Sequence, residues 1–363
     1  MTHHNGQKRY NGNEGLAMLD KMPLGELMAM AHEVRSAKIP GNQVSFVYDT
    51  NPNYTNICVS SCAFCAFYRK PGDPKGYTLS PEALADKVKK ASDQGATTVL
   101  LQGGHNPEIR LKNWIAYIKA IQEKCPGVHI HPFSPAEYFF MAQNEKIPLK
   151  RLLKEIFDLG IDTIPGGGAE ILTENVRRQI ANKKATAHQW LKVCEIAHET
   201  GFRTTATMMF GHVETNADII EHLLCLRDLQ DRTRGFYSFI PWSFKPGNSR
   251  LAKKVSQSAH PARYVRIIAL ARLLLDNFDH IQSSWFSESV PAGQLGLLAG
   301  ADDFGGVLVE ENVLQEAGHD RATTFENVLT IIRRAGFQPV LRDSHYKPIQ
   351  TFPGPEPLGI GMI

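Results

Sequence analysis

The sequence predicts an α/β fold, a (β/α)8 TIM-type barrel with an N-terminal helical extension and a C-terminal tail. Three observations carry this. From Val44 onward, short β-branched or apolar runs alternate with amphipathic helical stretches, and eight such units imply a parallel sheet closed on itself. Polar, glycine-rich segments follow these runs, as the site-bearing C-terminal rim of a barrel requires. The chain has 363 residues, of which 42% are hydrophobic, enough for a barrel that routinely takes about 250 or more.

In chain order, residues 1–14 read as disordered. Gly15–Met22 and Leu24–Lys38 read as helices divided by Pro23, with Leu24, Leu27, Met28 and Ala31 near helical spacing. The expected strands are Val44–Tyr48, Thr97–Leu101, Val128–Ile130, Thr163–Ile164, Arg203–Thr207, Gly235–Ile240, Ile281–Ser284 and a short one near Gly300. Helices are expected over Pro81–Ala91, Trp114–Lys124, Ile147–Leu159, Ala187–Thr200, Ala217–Arg232, Pro261–Asn277 and Phe325–Ala335. This divides the chain into an extension (1–43), a barrel (44–337) and a Pro- and Gly-rich tail (338–363) packed on the outside of the barrel.

Lys+Arg 40 against Asp+Glu 37 leaves a formal charge of +3, too balanced to suggest a nucleic-acid partner. The polar N-terminus has no apolar signal-peptide core. The longest apolar run, near Ile267–Leu275, is broken by Arg272 and falls far short of a membrane span.

The segment NICVSSCAFCAFYR, Asn56–Arg69, holds Cys58, Cys62 and Cys65 between a strand and a helix. Thiolates this close need a soft cation to gather them. Zinc completes a tetrahedron with Cys or His, and His129 or His131 could supply a fourth ligand. A four-iron cube normally takes four thiolates. Three leave one iron open to chelate a molecule with an amine and a carboxylate, and S-adenosylmethionine has both. A cluster of merely buried cysteines is the plainest alternative. A disulfide framework does not suit a chain this long without an export signal. Reduced thiols and an oxygen-sensitive cluster both point to the cytoplasm.

The rim segments supply further candidates. Gln102-Gly103-Gly104 lets backbone approach a ligand closely, or is an ordinary βα turn. Pro165–Glu170 reads as a glycine-rich turn opening a helix without a phosphate-loop lysine. Glu170 there accepts from ribose hydroxyls, or simply complements a helix dipole. His212 and Glu214 alternate in an extended segment and face one way, as proton-transfer groups or structural hydrogen-bonders. Asp302 and Asp303 offer one general base, or turn duty. Arg69, Arg203 and Lys245 are candidates to pair a substrate carboxylate, or are solvated surface. Phe133, Phe210, Trp242, Phe244 and Trp285 line a dry pocket or fill the core, and Met208 and Met209 fill the barrel.

The three-Cys loop, with Phe64 before its last cysteine, resembles that of the radical S-adenosylmethionine (SAM) superfamily. The ordered blocks LLQGG, IPGGGAEIL, TTATMMFGHVET, FIPWSFKPGN, LLLDNFDHIQSSW and GADDFGGVLVEENV are similar to those of the dehypoxanthine futalosine cyclase family. That group also holds aminofutalosine synthase and the deazaflavin-type synthase subunits. The resemblance runs from about Val44 to Tyr346, departing at Phe286-Ser287-Glu288-Ser289, where a Thr-Gln-Gly-Pro-like turn is expected. It implies a radical SAM barrel, a [4Fe-4S] cluster on Cys58, Cys62 and Cys65, and S-adenosyl-L-methionine held by Phe64, Tyr68, Gln102, Gly103, Gly104, Ser134, Glu170 and Arg203. It implies dehypoxanthine futalosine as substrate, bound by His105, Phe210, Trp242 and Trp285. Proton chemistry then falls to His212, Glu214, Asp302 and Asp303, and an electron donor such as flavodoxin or ferredoxin is needed. The implied reaction cyclises the substrate in menaquinone biosynthesis. A zinc-dependent barrel hydrolase is the reading from another class.

Overall fold

The computed structural model describes residues 3–4, 7–39, 41–318 and 323–355. Eight parallel strands form the barrel: β1 (Gln43–Asn51), β2 (Thr98–Leu101), β3 (His129–Pro132), β4 (Thr163–Ile164), β5 (Arg203–Phe210), β6 (Phe236–Ser243), β7 (His280–Ile281) and β8 (Asp303–Glu311). Ladders join β1 to β2 to β3, and β4 through β7 in sequence. β8 closes the round by pairing parallel to β1, Asp303 opposite Ser45 and Gly306 opposite Val47, and a bridge from Gln282 to Asp303 ties it to the end of β7. Between β3 and β4 side chains span the seam, His129 and His131 each lying 2.8 Å from the Thr163 hydroxyl.

The N-terminal extension is more ordered than its composition suggests. Helix α1 (Gly12–Lys21) starts inside the stretch expected to be disordered, because Asn11 and Glu14 form a reciprocal capping box that satisfies two orphan N–H groups. Residues 1–2 and 5–6 of that stretch lie outside the described residues. Helix α2 (Leu24–Lys38) buries Leu27 and Ala31; a leucine so buried contributes roughly 2 kcal/mol. Its Arg35 reaches the barrel, donating to the carbonyls of Ala301 (3.0 Å) and Gln43 (2.6 Å).

Around the barrel run α3 (Pro81–Asp93), α4 (Leu111–Lys124), α5 (Pro135–Glu145), α6 (Leu149–Phe157), α7 (Glu174–Ile180), α8 (Ala187–Thr200), α9 (Asn216–Thr233), α10 (Pro261–Leu274) and α11 (Val290–Leu298), then α12 (Asn312–Glu316) and α13 (Phe325–Arg334). The signal for α5 is Ser134-Pro135-Ala136-Glu137, a capping box with proline at the first turn.

Two expectations are corrected at the C-terminal end of the chain. The last barrel strand starts at Asp303, so DDFGG stands at its beginning and not beyond its end. The tail does not lie on the outside. Its strand β9 (Gln338–Arg342) pairs parallel with the first half of β1, from Gln338 opposite Gln43 to Leu341 opposite Phe46, and β10 (Pro348–Thr351) folds back on it. Between them Arg342 grips Asp303, Ser344 meets Thr98 at 2.9 Å, and the Tyr346 hydroxyl donates to Ser238 at 2.7 Å. These residues close the N-terminal end of the barrel as a floor. Residues 356–363 of the expected tail lie outside the described residues.

Candidate functional site

Inside the barrel, from rim to floor, lies one chamber of about 400 Å³, the size of a small-molecule site. Period-two alternation supplies its wall: Val47, Asp49 and Asn51 from β1, Thr98 and Leu100 from β2 and Gln102 just beyond it, and Thr205 and Thr207 from β5.

Cys58, Cys62 and Cys65 all line the rim end of this chamber. Their loop is folded by main-chain bonds from Cys58 N–H to Arg69 O (2.9 Å) and from Ala63 N–H to Ile180 O (2.7 Å). Arg69 serves the same loop, donating to the carbonyls of Ala66, Phe67 and Tyr68 at 3.0–3.1 Å and to Glu316. It is a loop clamp, not a hand for a substrate carboxylate.

The donor set fits a four-iron cube with three protein ligands. A single tetrahedral ion with metal–sulfur bonds of about 2.3 Å would draw the thiols to about 4 Å. Among the described residues, the group with ligand atoms gathered within 4.8 Å is His129, Asp162 and His345, with no cysteine in it. His129 is engaged elsewhere, 2.8 Å from the Thr163 hydroxyl and edge-on to His345. Burial pushes the Cys62 thiol up to about 12, so a thiolate there requires strong positive charge beside it.

The Gly-Gly edge adjoins the cysteines. A Cβ on Gly104 would stand 2.2 Å from the carbonyl oxygen of Ile57, so only glycine permits this approach. Glu137, which the sequence reading did not single out, fixes the edge from behind. It accepts from Gly103 N–H (3.0 Å), Tyr54 OH (2.8 Å), and the Ser134 amide and hydroxyl (2.7 Å each). Its signal was the Ser134–Glu137 capping box. Ser134 itself lines the chamber.

Glu170 also faces the chamber. It sits in the loop before α7 and not on a helix, with φ of 45°, a left-handed conformation that costs a non-glycine residue about 1 kcal/mol or more. Lys184 at 3.1 Å and Arg177 at 3.6 Å hold it there. Lys184, another residue missed from sequence, lines the chamber too. Burial works against its charge, but Glu170 and the nearby Cys62 more than compensate and raise its pKa.

Other expected site residues divide cleanly. Phe64, Tyr68, Gln102, Gly103, His105 and Trp242 line the chamber. His105 is stacked on Phe140 and lies 2.7 Å from the Ser60 hydroxyl, and burial lowers its pKa to about 3. Phe210 and Trp285 are core, stacked on Tyr264 and Phe304, outside the lining. His212 and Glu214 are also outside it. Glu214 accepts from the Gly211 and His212 amides; His212 Nε2–H meets Met209 O at 2.9 Å and its Nδ1 accepts from Val213 N–H. They fasten a turn.

Arg203 is exposed at the first residue of β5, on the floor side, far from any rim ligand. Lys245 is buried against Ser243 and Glu288. Asp302 and Asp303 are floor residues as well. Asp302 is bonded to Arg272, His280 and Ile281 N–H; burial opposes its ionisation, yet these partners hold its carboxyl down at about 2. Asp303 is gripped bidentately by Arg342, at 2.5 and 3.0 Å, and by Ser45 at 2.6 Å. Each saturated by an arginine, neither carboxylate is placed as a rim base.

Comparison with known proteins gives the family. Residues 52–226 match the Radical SAM superfamily, and residues 233–354 the CofH/MqnC C-terminal region. A cyclic dehypoxanthine futalosine synthase of Halalkalibacterium halodurans is 37% identical over 95% of this chain and 94% of its own. A 5-amino-6-(D-ribitylamino)uracil–L-tyrosine 4-hydroxyphenyl transferase of Methanopyrus kandleri is 38% identical over 93% and 92%. An aminodeoxyfutalosine synthase of Thermus thermophilus is 35% identical over 95% and 94%. Among solved structures, methylornithine synthase shares the fold, with a TM-score of 0.72 at 17% identity over 92% of this chain and 94% of that one. The chain belongs to the radical SAM superfamily, in the group that carries the CofH/MqnC C-terminal region. It is a radical SAM enzyme whose cofactors are a [4Fe-4S] cluster and S-adenosylmethionine, and no described helix is long and apolar enough to cross a membrane.

Proposed function

We propose that this radical SAM enzyme cyclises dehypoxanthine futalosine to cyclic dehypoxanthinylfutalosinate in menaquinone biosynthesis. The reaction takes a hydrogen from ribose C4′ and closes a ring onto the neighbouring benzoate. The observation that carries the reading is the joining of three thiols, the Gly103–Gly104 edge and a paired Glu170 on one chamber. Its 37% identity to a cyclic dehypoxanthine futalosine synthase along nearly the whole chain supports the choice of substrate.

Bound together, the cluster and S-adenosylmethionine supply a 5′-deoxyadenosyl radical, a strong abstractor of hydrogen. The protein does the rest. Cys58, Cys62 and Cys65 would anchor three corners of the cube, Gln102–Gly104 would take the amino group of S-adenosylmethionine, and Glu170 its ribose hydroxyls. Lys184 offsets the negative charge that gathers at Glu170 and the thiolates. The chamber walls hold ribose and ring at reacting distance, which is where orientation lowers the barrier most. The floor of Arg342, Ser344 and Tyr346 keeps water and oxygen from entering behind the substrate. A flavodoxin or ferredoxin would deliver the electron.

The 38% identity to the Methanopyrus transferase, beside 37% to the futalosine synthase, supports a second reading, radical transfer of a hydroxyphenyl group. Anaerobic turnover of reconstituted enzyme with reductant, S-adenosylmethionine and dehypoxanthine futalosine separates the two. Cyclised product with 5′-deoxyadenosine is expected. Turnover only with tyrosine and the ribitylaminouracil would overturn the cyclase reading.

A further inference from the structure

Three carboxylates line the chamber: Asp49, Glu137 and Glu170. Four donors saturate Glu137, and Glu170, whose Oε2 also lacks a hydrogen-bond partner among the described residues, is held between two cations. Asp49 lines the chamber with no ion-pair partner among the described residues. Its Oδ1 is buried without a hydrogen-bond partner among the described residues, and a buried oxygen left so is costly unless it has a use. It points inward from β1, in step with Val47 and Asn51.

The fold makes room for this carboxylate. A Cβ on Gly306 would fall 2.2 Å from Asp49 Oδ1, so the second glycine of DDFGG, opposite Val47 on the neighbouring strand, is the space the carboxylate occupies. Burial raises the carboxyl to about 7, with Arg342 of β9 lowering it and Asp303 of β8 raising it in part. His131 of β3, Tyr237 of β6 and Tyr346 line the same chamber. Burial pushes the His131 pKa well below its usual range and so makes it a weak base, and it raises both phenols, which stay protonated, so none of these competes as a base near neutral pH.

We propose that Asp49 is the general base of the cyclisation, taking the proton that the substrate's ring must lose after ring closure. This rests on the cyclase reading. Closure forms one carbon–carbon bond and leaves an unpaired electron on the ring. Restoring aromaticity breaks one C–H bond: the proton goes to the Asp49 carboxylate, and the electron to a one-electron acceptor of the iron–sulfur class. A group with a pKa near the working pH suits such a transfer.

The test is anaerobic turnover of reconstituted holoenzyme with S-adenosylmethionine, dithionite and dehypoxanthine futalosine, counting 5′-deoxyadenosine and cyclised product separately. Asp49→Asn is expected to keep forming 5′-deoxyadenosine while product per 5′-deoxyadenosine falls at least tenfold. Asp49→Ser, which removes the acid without adding bulk, should do the same. In the wild type that ratio should fall as pH drops below about 7, and the Asn variant should lose this dependence. A readout without turnover is the melting temperature of the cofactor-free protein: Asp49→Asn should gain on wild type at pH 8 relative to pH 5. Unchanged coupling with an unchanged pH profile in both variants overturns the assignment. Wild-type enzyme that forms no 5′-deoxyadenosine with this substrate sinks the cyclase reading and the base with it, so the two failures are told apart by the wild type alone.

Discussion

The two ends of the barrel use the same residue types for opposite purposes. At the rim, thiols and Glu170 keep bonding capacity turned toward the chamber, and Glu170 holds a left-handed backbone to do so. At the floor, Asp302 and Asp303 are each neutralised by a buried arginine, Arg272 and Arg342, and strand β9 of the tail seals the end. Asp49 stands between, with neither a full set of donors nor an arginine clamp. The lesson is that partners, more than residue type, separate chemistry from scaffolding.

The contrast breaks most sharply at the rim. Cys62→Ala should abolish the brown chromophore, iron and sulfide content and all turnover, yet leave melting of the cofactor-free protein near wild type. Retained wild-type turnover would remove Cys62 from the ligand set. At the floor, Asp302→Ala should spare cluster assembly but strand a buried Arg272, at about 3–5 kcal/mol of stability. Denaturant unfolding measures this, and an unchanged midpoint would return Asp302 to the candidate bases.

Weaker effects sharpen the comparison. The Asp302 carboxyl, held at about 2 against an ordinary aspartate value of 3.8, contributes stability that is fully present above pH 4. That contribution, roughly 2 kcal/mol, is lost as pH falls from about 4 through 2, and Asp302→Asn should flatten this acid limb of an unfolding series. Asp49 has the reverse sign. Raised to about 7 from 3.8, it lowers stability as pH climbs through that window, which is why its Asn variant gains at pH 8. The smallest effect is at Glu170→Gln, which should raise the KM for S-adenosylmethionine about tenfold, or ~1.4 kcal/mol, with cluster content unchanged. An unchanged KM would make Glu170 purely structural.

Much of this was legible along the chain. The βα beat placed seven strands to within a few residues, and the C-x3-C-x2-C loop offered three candidate ligands that the fold brings to one chamber. Alternation could also have found Asp49, since VSFVYDTN extends the inward pattern of Ser45 and Val47 by one step, but the expected strand stopped at Tyr48. The eighth strand went astray because DDFGG reads locally as a turn. Only β1 lying beside it shows that Gly306 is empty to admit Asp49. Glu137 was visible as the fourth residue of Ser134-Pro135-Ala136-Glu137, but not its bond to Gly103, 34 positions away in sequence.

Sequence by itself determined the barrel and the cluster loop, because periodicity and close ligand spacing are local properties that the chain carries wherever it folds. The tertiary structure alone decided which carboxylates are spent. Arg342 reaches Asp303 across 39 residues and Arg272 reaches Asp302 across 30, and charge neutralisation in a buried site depends on distance in space, which spacing along the chain does not encode.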